Sequence, residues 1–473
     1  MKVYFIGICG TAMGNVAVLM QGSGHQVAGS DKGIYPPMSD VLRDADVEVF
    51  QGWDEEHMQT FQPDLVVVGN AVTRGNPEVE YLLRTRFARS ISLPDLIGSE
   101  LLEDRLRVVI TGTHGKTTTT SLTAWLLKQF GVDPGWLIGG VPRSLSSGSE
   151  LGNESSPFVL EGDEYDSAFF DKRSKFIHYR PDVLVINNIE FDHADIFRDL
   201  KDVKRTFNHL IRIVPDNGVI LANGDDPIVQ ELLPVAWTRV LFVGSETKND
   251  YVISSFEETK EGSQFVLQGP GGSSWQYITK LKGHYNSQNS AMALLAAAYS
   301  IDSEDVSGFL EKANLDSYTG VARRQDVLFE SEHLEVIEDF AHHPTAIRLC
   351  IGSIRNCYPG SEIVAVFEPR SNTSATKVLQ LEFTQALSYA DRVLISPVHR
   401  ADFYSNEVRI DTGEMAQVLN RGKVQATAFS DKNALFKNLA GLDRDQQRVV
   451  LLFTNGSFGE PLQNYLGLLH GKG

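Results

Sequence analysis

One stretch of the chain concentrates the residue types that hold a phosphorylated ligand: Thr111-Gly112-Thr113-His114-Gly115-Lys116-Thr117-Thr118. The glycines let backbone N–H groups turn toward a phosphate. The start of the helical segment that follows (Ser121 to Phe130) adds a partial positive charge, and Lys116 adds a full one. The hydroxyl after the lysine, Thr117 with Thr118 as neighbour, suits Mg²⁺. The usual G-x-x-x-x-G-K-[ST] spacing would need glycine where Ile110 stands, so the loop is the shorter G-x-x-G-K-T. A glycine-rich helix start that binds nothing has a similar composition. The apolar run Val108 to Ile110 before the loop and the helix after it favour the phosphate cradle. His114 either orients a phosphate or only shapes the turn.

Two acidic clusters accompany this loop. Glu161-Gly162-Asp163-Glu164-Tyr165-Asp166 follows the strand-like run Phe158 to Leu160, and Asn187-Asn188-Ile189-Glu190-Phe191-Asp192-His193-Ala194-Asp195 follows Val183 to Ile186. In an open parallel sheet, ligands sit outside the carboxyl ends of strands. Carboxylates and a histidine gathered there could hold Mg²⁺ and order a triphosphate. Any one of these acids, taken alone, reads equally well as a solvated loop charge. At the amino end, Gly7-Ile8-Cys9-Gly10-Thr11-Ala12-Met13-Gly14, with Asp31 after the second strand, approximates a dinucleotide fingerprint. Cys9 stands where the middle glycine usually allows close approach to a pyrophosphate. Two such loops in consecutive domains imply two phosphorylated ligands, which a lone ATPase does not need. A dehydrogenase built on the first loop would leave Lys116 without a task, and a non-catalytic nucleotide-sugar sensor would need no turnover from it.

The elements that must position these residues read as α/β throughout. The chain has 473 residues, a length that suggests about three domains at roughly 100–200 residues each. Lys and Arg number 43 against 61 Asp and Glu, a net charge of −18, which argues against broad nucleic-acid or anionic-membrane binding. No apolar run approaches the ~20 residues of a membrane span, and Met1 to Gly7 reads as a first strand and not as a signal peptide. Cys9, Cys350 and Cys357, an odd number without C-x-x-C, fit reduced thiols in a cytoplasm. Strand-like runs alternate with helical stretches: Val3 to Ile6, Gln26 to Ala28 and Leu65 to Val68; then Val108 to Ile110, Phe158 to Leu160, Val183 to Ile186 and Val219 to Leu221. Glu335 to Ile337, Ile363 to Phe367, Val393 to Ile395 and Val449 to Phe453 form a third series. Asn286 to Ser300 reads as an Ala/Leu-rich helix. The expected domains are 1–105, 106–325 and 326–473, all α/β.

The ordered set of motifs resembles the Mur ligases, ATP-dependent amide-forming enzymes of bacterial cell-wall synthesis. The residues that carry the resemblance are Gly7 to Gly14, Thr111 to Thr118, Glu161 in EGDEYD, His193 in EFDHAD, Asn286 and Asn289 in HYNSQN, Arg324 in ARRQD, and Asp339 to Pro344 in DFAHHP. The resemblance implies a Rossmann-like N-terminal UDP-sugar domain, a central P-loop-type ATPase domain with a mostly parallel sheet and a Rossmann-like C-terminal domain that receives the incoming amine. The GICGTAMG start and the DFAHHP block are similar to the branch that uses UDP-N-acetylmuramate. The insert Phe169-Phe170-Asp171-Lys172-Arg173-Ser174-Lys175-Phe176 and the run Phe367-Glu368-Pro369-Arg370-Ser371-Asn372 imply L-alanyl-γ-D-glutamyl-meso-diaminopimelate, a murein tripeptide, as acceptor. L-Alanine is the alternative.

What the resemblance implies for residues follows motif by motif. Gly7, Gly10, Thr11, Ala12, Met13, Gly14 and Asp31 fall to the UDP-sugar. Gly112, Thr113, His114, Gly115, Lys116, Thr117 and Thr118 fall to ATP. Asn286 and Asn289 fall near the adenine, and Arg324 with Asp339 to the nucleotide at the hinge. Lys116 is the candidate for the β/γ-phosphates, and Thr117, Glu161 and His193 are the candidates for Mg²⁺ ligation. Arg370 is the candidate contact to a peptide carboxylate, since a guanidinium fork matches it. Alternatives remain at this stage. Asn286 and Asn289, spaced i,i+3 at a helix start, suit N-capping as well. Arg324 beside Arg323 suits a surface ion pair. His342-His343-Pro344 suits a turn. Some relatives carry a carbamylated lysine for a second Mg²⁺; Asn208 falls at the matching place, and Lys204 nearby is not assigned that role. Sites split among three domains imply closure around ATP.

Overall fold

β-branched and leucine-rich runs such as Val183–Ile186 and Arg107–Thr111 have almost every residue buried, as strands covered on both faces by helices must be. The computed structural model describes residues 1–36, 38–442 and 446–471. Its strands form three sheets. The first is wholly parallel, in the order Glu48–Gln51, Gln26–Asp31, Lys2–Ile6, Leu65–Val68, Arg89–Ser92. The second has ten strands. Its parallel middle runs Arg239–Gly244, Val219–Asn223, Val183–Ile186, Arg107–Thr111, Phe158–Gly162, Gly135–Leu137. The third has six strands, parallel except where Asp326–Glu330 pairs antiparallel with Leu334–Asp339.

Two features differ from the sequence expectation. The helix after the phosphate loop spans Lys116–Gln129, starting five residues before the expected Ser121. The run Thr117 to Thr120 has poor intrinsic helix propensity, but these side chains are buried and tertiary packing overrides it. The central sheet also carries an antiparallel edge, Tyr251–Thr259, Gly262–Gln268 and Ser274–Thr279, where no strand was expected. The outer strands alternate buried with partly or fully exposed residues, a weaker signal than the continuous apolar runs of the parallel middle.

The sheets are not joined alike. One apolar cluster runs from Val3, Phe5 and Val16 through Leu96 and Leu101 to Leu160, Phe176 and Ile186, so the first two sheets share a core. Arg105 adds three N–H donations to the carbonyls of Leu151, Asn153 and Ser156. The third sheet has its own two clusters. It meets the second partly through polar contacts: Thr373 Oγ1 donates to Asp192 (2.7 Å), Asn372 to Asp195 (2.8 Å) and Ser353 Oγ to Glu258 (2.7 Å). Polar interfaces of this kind let domains move relative to one another.

Candidate active site

The carboxyl ends of strands from the second and third sheets, with the first helix of the N-terminal sheet, open on one cleft of about 1270 Å³. The phosphate loop lies in its wall. Gly112 and Gly115 both have positive φ (130° and 81°), and a Cβ on Gly115 would come within 2.4 Å of Asn289 Oδ1. Only glycine fits there. The loop is fastened to the segment after Val183–Ile186: Thr113 N donates to Asn188 O, and His114 N to Asn188 Oδ1 (2.8 Å). Lys116 Nζ folds over the loop to donate to Gly112 O (2.7 Å) and Glu164 (2.9 Å), with Asp163 at 3.9 Å. Burial pulls its pKa down, but Glu164 and Asp163 outweigh burial and hold it above its ordinary value.

Glu161 stands one strand away. Its Oε2 accepts from Thr117 Oγ1 (3.1 Å) and its Oε1 from Gly139 N (2.6 Å). Burial, then Asp163, push its carboxyl up. A hydroxyl and a half-buried carboxylate, side by side, are the hard oxygen donors that suit Mg²⁺. His193, at φ 53°, places Nε2 3.5 Å from Glu164 Oε1, with Tyr165 tilted against its ring. Burial lowers the His193 pKa, but the Glu164 carboxylate raises it past its ordinary value.

The rest of the expected set divides. Thr11 and Ala12 line the cleft with Asn15, whereas Met13 and Gly14 are buried in the core. Gly7 turns at φ 87°, and Gly10 is the N-cap of the helix Thr11–Gly22. Asp31 lies outside the cleft wall, accepting from Cys9 N (3.0 Å) and Gly33 N (2.9 Å). Asn286 and Asn289 line the cleft and are linked to each other (3.0 Å); the helix His284–Ile301 is capped at Gly283, so neither asparagine caps it. Arg324 is not a surface ion pair: its Nη2 donates to Thr117 Oγ1 (3.2 Å) and its guanidinium lies 4.7 Å from the Phe340 ring centre. Asp339, in the cleft wall, accepts from Gln325 N and Ala341 N. Arg370 does not line the cleft: it packs on Gly456, with Nη1 3.6 Å from buried Glu368. Lys204 pairs with Glu231 outside the cleft. Tyr285, whose hydroxyl meets the Gln325 amide (2.6 Å), and Asp225 also face the cleft; Tyr285 sits inside HYNSQN with no role assigned to it, and no motif marks Asp225.

His342 offers a pH test of this packing. Burial lowers its pKa from 6.5 to about 4, Asp192 opposing. The unfolded chain therefore binds the extra proton first, and stability falls as pH drops from about 6.5 to about 4. With its side chain 26% exposed, the loss is on the order of 2 kcal/mol. His193, whose pKa is raised, acts in the opposite sense. The comparison is therefore wild type against His342→Gln in urea unfolding at pH 7 and pH 4.5. The wild type should lose more stability than the variant, and equal losses would refute the assignment.

A parallel-sheet phosphate loop, flanked by two further α/β domains that complete one cleft, defines a multidomain nucleotide-binding protein. Three family models match in chain order: "Mur ligase family, catalytic domain" at residues 2–98, "Mur ligase middle domain" at 110–297 and "Mur ligase, glutamate ligase domain" at 323–456. The chain belongs to the Mur ligase family and has its three-domain fold. A protein of Escherichia coli (strain K12) named UDP-N-acetylmuramate–L-alanyl-gamma-D-glutamyl-meso-2,6-diaminoheptandioate ligase is 40% identical over 403 residues, 84% of this chain and 86% of that protein. A protein of the same name from Haemophilus influenzae is 37% identical over 470 residues, 99% of each chain. The crystal structure of a murein peptide ligase from Psychrobacter arcticus 273-4 superposes with a TM-score of 0.71 at 32% identity, covering 99% of each chain. Among the described residues, no helix is long and apolar enough to cross a membrane.

Proposed function

We propose that the chain is an ATP-dependent ligase of peptidoglycan recycling that joins L-alanyl-γ-D-glutamyl-meso-diaminopimelate to UDP-N-acetylmuramate in the cytoplasm. The observation that carries the chemistry is the cluster Lys116, Thr117, Glu161 and His193, with Glu164 buried behind Lys116 and His193, in a cleft that all three domains line. The acceptor is supported by the names of the two relatives at 40% and 37% identity.

A carboxylate is a poor electrophile with no leaving group. In the proposed reaction, a lactyl carboxylate oxygen attacks the ATP γ-phosphorus and the bond to the β-phosphate oxygen breaks, giving ADP and an acyl phosphate. The peptide's α-amine attacks the acyl carbon, and the tetrahedral intermediate expels phosphate and a proton as the amide forms. Lys116 and the amino end of the helix Lys116–Gln129 carry the charge of the β- and γ-phosphates. Thr117 and Glu161, with His193 across the cluster, are the side chains for Mg²⁺, which supplies charge neutralisation at the phosphates when bound. Asn286 and Asn289 serve the adenine end. Arg324 and Asp339 bring the C-terminal domain to the nucleotide, and Thr11 and Ala12 face the UDP-sugar. Arg370 reaches peptide only if the C-terminal domain moves, because it stands off the cleft here.

The test is one assay with two acceptors. With ATP, Mg²⁺ and UDP-N-acetylmuramate, the tripeptide should release phosphate and form a UDP-linked peptide, and L-alanine should give far less. Turnover with L-alanine alone would move the assignment to the alanine-adding reaction, and no turnover with either would refute the ligase reading.

A further inference from the structure

At the edge of the cleft, where the central and C-terminal domains meet, three side chains converge: one from the ATP loop and two to which the proposed reaction gives no role. His114 comes from the phosphate loop, Glu190 from the segment after Val183–Ile186, and His343 from the residue before the helix Pro344–Cys357. His114 Nε2 lies 3.2 Å and His343 Nδ1 3.0 Å from the same oxygen, Glu190 Oε2. The three donor atoms lie within 4.8 Å of one another.

The second nitrogen of His343 decides what this contact is. His343 Nε2 lies 3.2 Å from Phe191 O. A carbonyl only accepts, so Nε2 carries the proton, and in the neutral ring Nδ1 presents a lone pair. Thr345 N–H approaches that lone pair at 3.4 Å. The same Nδ1 faces a carboxylate oxygen at 3.0 Å. The pairing needs a cation between the two atoms, a proton in the metal-free protein or a metal ion when one is bound. An imidazole tied through its far N–H to a backbone carbonyl, with its near nitrogen aimed at a carboxylate, is the arrangement of a metal-ligating histidine. Ligands about 2.0 Å from Zn²⁺ at tetrahedral angles lie about 3.3 Å apart. The separations of 3.0 and 3.2 Å are within a few tenths of that edge.

We propose that His114, Glu190 and His343 form a site for a divalent transition-metal ion, Zn²⁺ first among them, that staples the C-terminal domain to the phosphate loop. Two nitrogen donors and one carboxylate favour Zn²⁺, Co²⁺ or Ni²⁺ over Mg²⁺, which prefers an all-oxygen shell. His114 and Glu190 line the cleft, which leaves a further coordination position open to water. Burial lowers the His114 pKa, keeping that ring a neutral ligand. Burial raises Glu190, but its histidine contacts outweigh this and hold the carboxyl well below the usual range, so it is anionic. Because the ligands come from two domains, the ion resists their separation and slows any cycle that requires it.

The test uses the full chain without nucleotide, with Co²⁺ as a visible-absorption probe and Zn²⁺ as competitor. One Co²⁺ per chain should give d–d bands that one equivalent of Zn²⁺ abolishes. His343→Asn, whose amide can still cap the helix, and Glu190→Gln should each weaken the binding at least tenfold. His193→Gln should leave it intact. Zn²⁺ should slow wild-type turnover and have much less effect on His343→Asn. Absence of stoichiometric binding, binding that survives both His343→Asn and Glu190→Gln, or binding lost in His193→Gln would each overturn the proposal. Glu190→Gln alone decides the matter if His343→Asn fails to fold.

Discussion

Lys116→Met is expected to lower kcat by a factor on the order of 10²–10³ or more, the scale on which a single placed charge or donor acts in a transition state. The ammonium group, 13% exposed, is held by Gly112 O at 2.7 Å and Glu164 at 2.9 Å, so it is positioned before any ligand arrives. Its removal has a second effect. Glu164 is 3% exposed and its pKa is drawn down to about 2: burial would raise it, but Lys116 and His193 overcome that. Without the lysine, a buried carboxylate loses its nearest cation, a change that costs about 3–5 kcal/mol in a closed interior and less beside an open cleft. Stability and chemistry would then fall together, and either could explain a dead variant. The double variant Lys116→Met/Glu164→Gln separates them: it should recover thermal stability without recovering turnover. Turnover within tenfold of wild type in either variant would remove Lys116 from the chemistry.

How far the sequence announced this site depends on the distance over which each feature is built. The phosphate loop is local: strand, two glycines, lysine and threonines lie within the twelve residues 107–118, and each is legible from its neighbours. The acid that meets Lys116 is not. EGDEYD offers four carboxylates: Glu161, still in the strand Phe158–Gly162, meets Thr117, and the turn after the strand sends Glu164 to Lys116. Periodicity cannot choose among the three acids of the turn, because the strand has ended before them. The asparagines of HYNSQN, assigned to the adenine end, had N-capping as their alternative until backbone geometry put the cap at Gly283, whose φ of 94° admits no ordinary side chain. Arg324 is understood only through Thr117, 207 positions away. The cluster of His114, Glu190 and His343 is the extreme case. Each belongs to a motif that was read separately, and only the docking of two domains makes them neighbours.

Glu161→Gln should act in the opposite sense to the lysine variant on stability while matching it on function. Burial, reinforced by Asp163, raises the Glu161 pKa, so the folded protein is poorer in free energy for carrying the charge at neutral pH. Glutamine is nearly isosteric and keeps an oxygen for the Gly139 N–H at 2.6 Å. The unliganded variant should therefore melt at or above the wild-type temperature. Its turnover should fall by a factor on the order of 10²–10³, and the Mg²⁺ concentration giving half of its remaining rate should rise, because a neutral amide is a weaker ligand than a carboxylate for a hard cation. A purely structural glutamate predicts the reverse pairing, a lower melting temperature with turnover preserved in the folded fraction. If melting temperature and Mg²⁺ dependence both stay at wild-type values while turnover survives, the Thr117–Glu161 pair is not the metal-binding edge of the cleft.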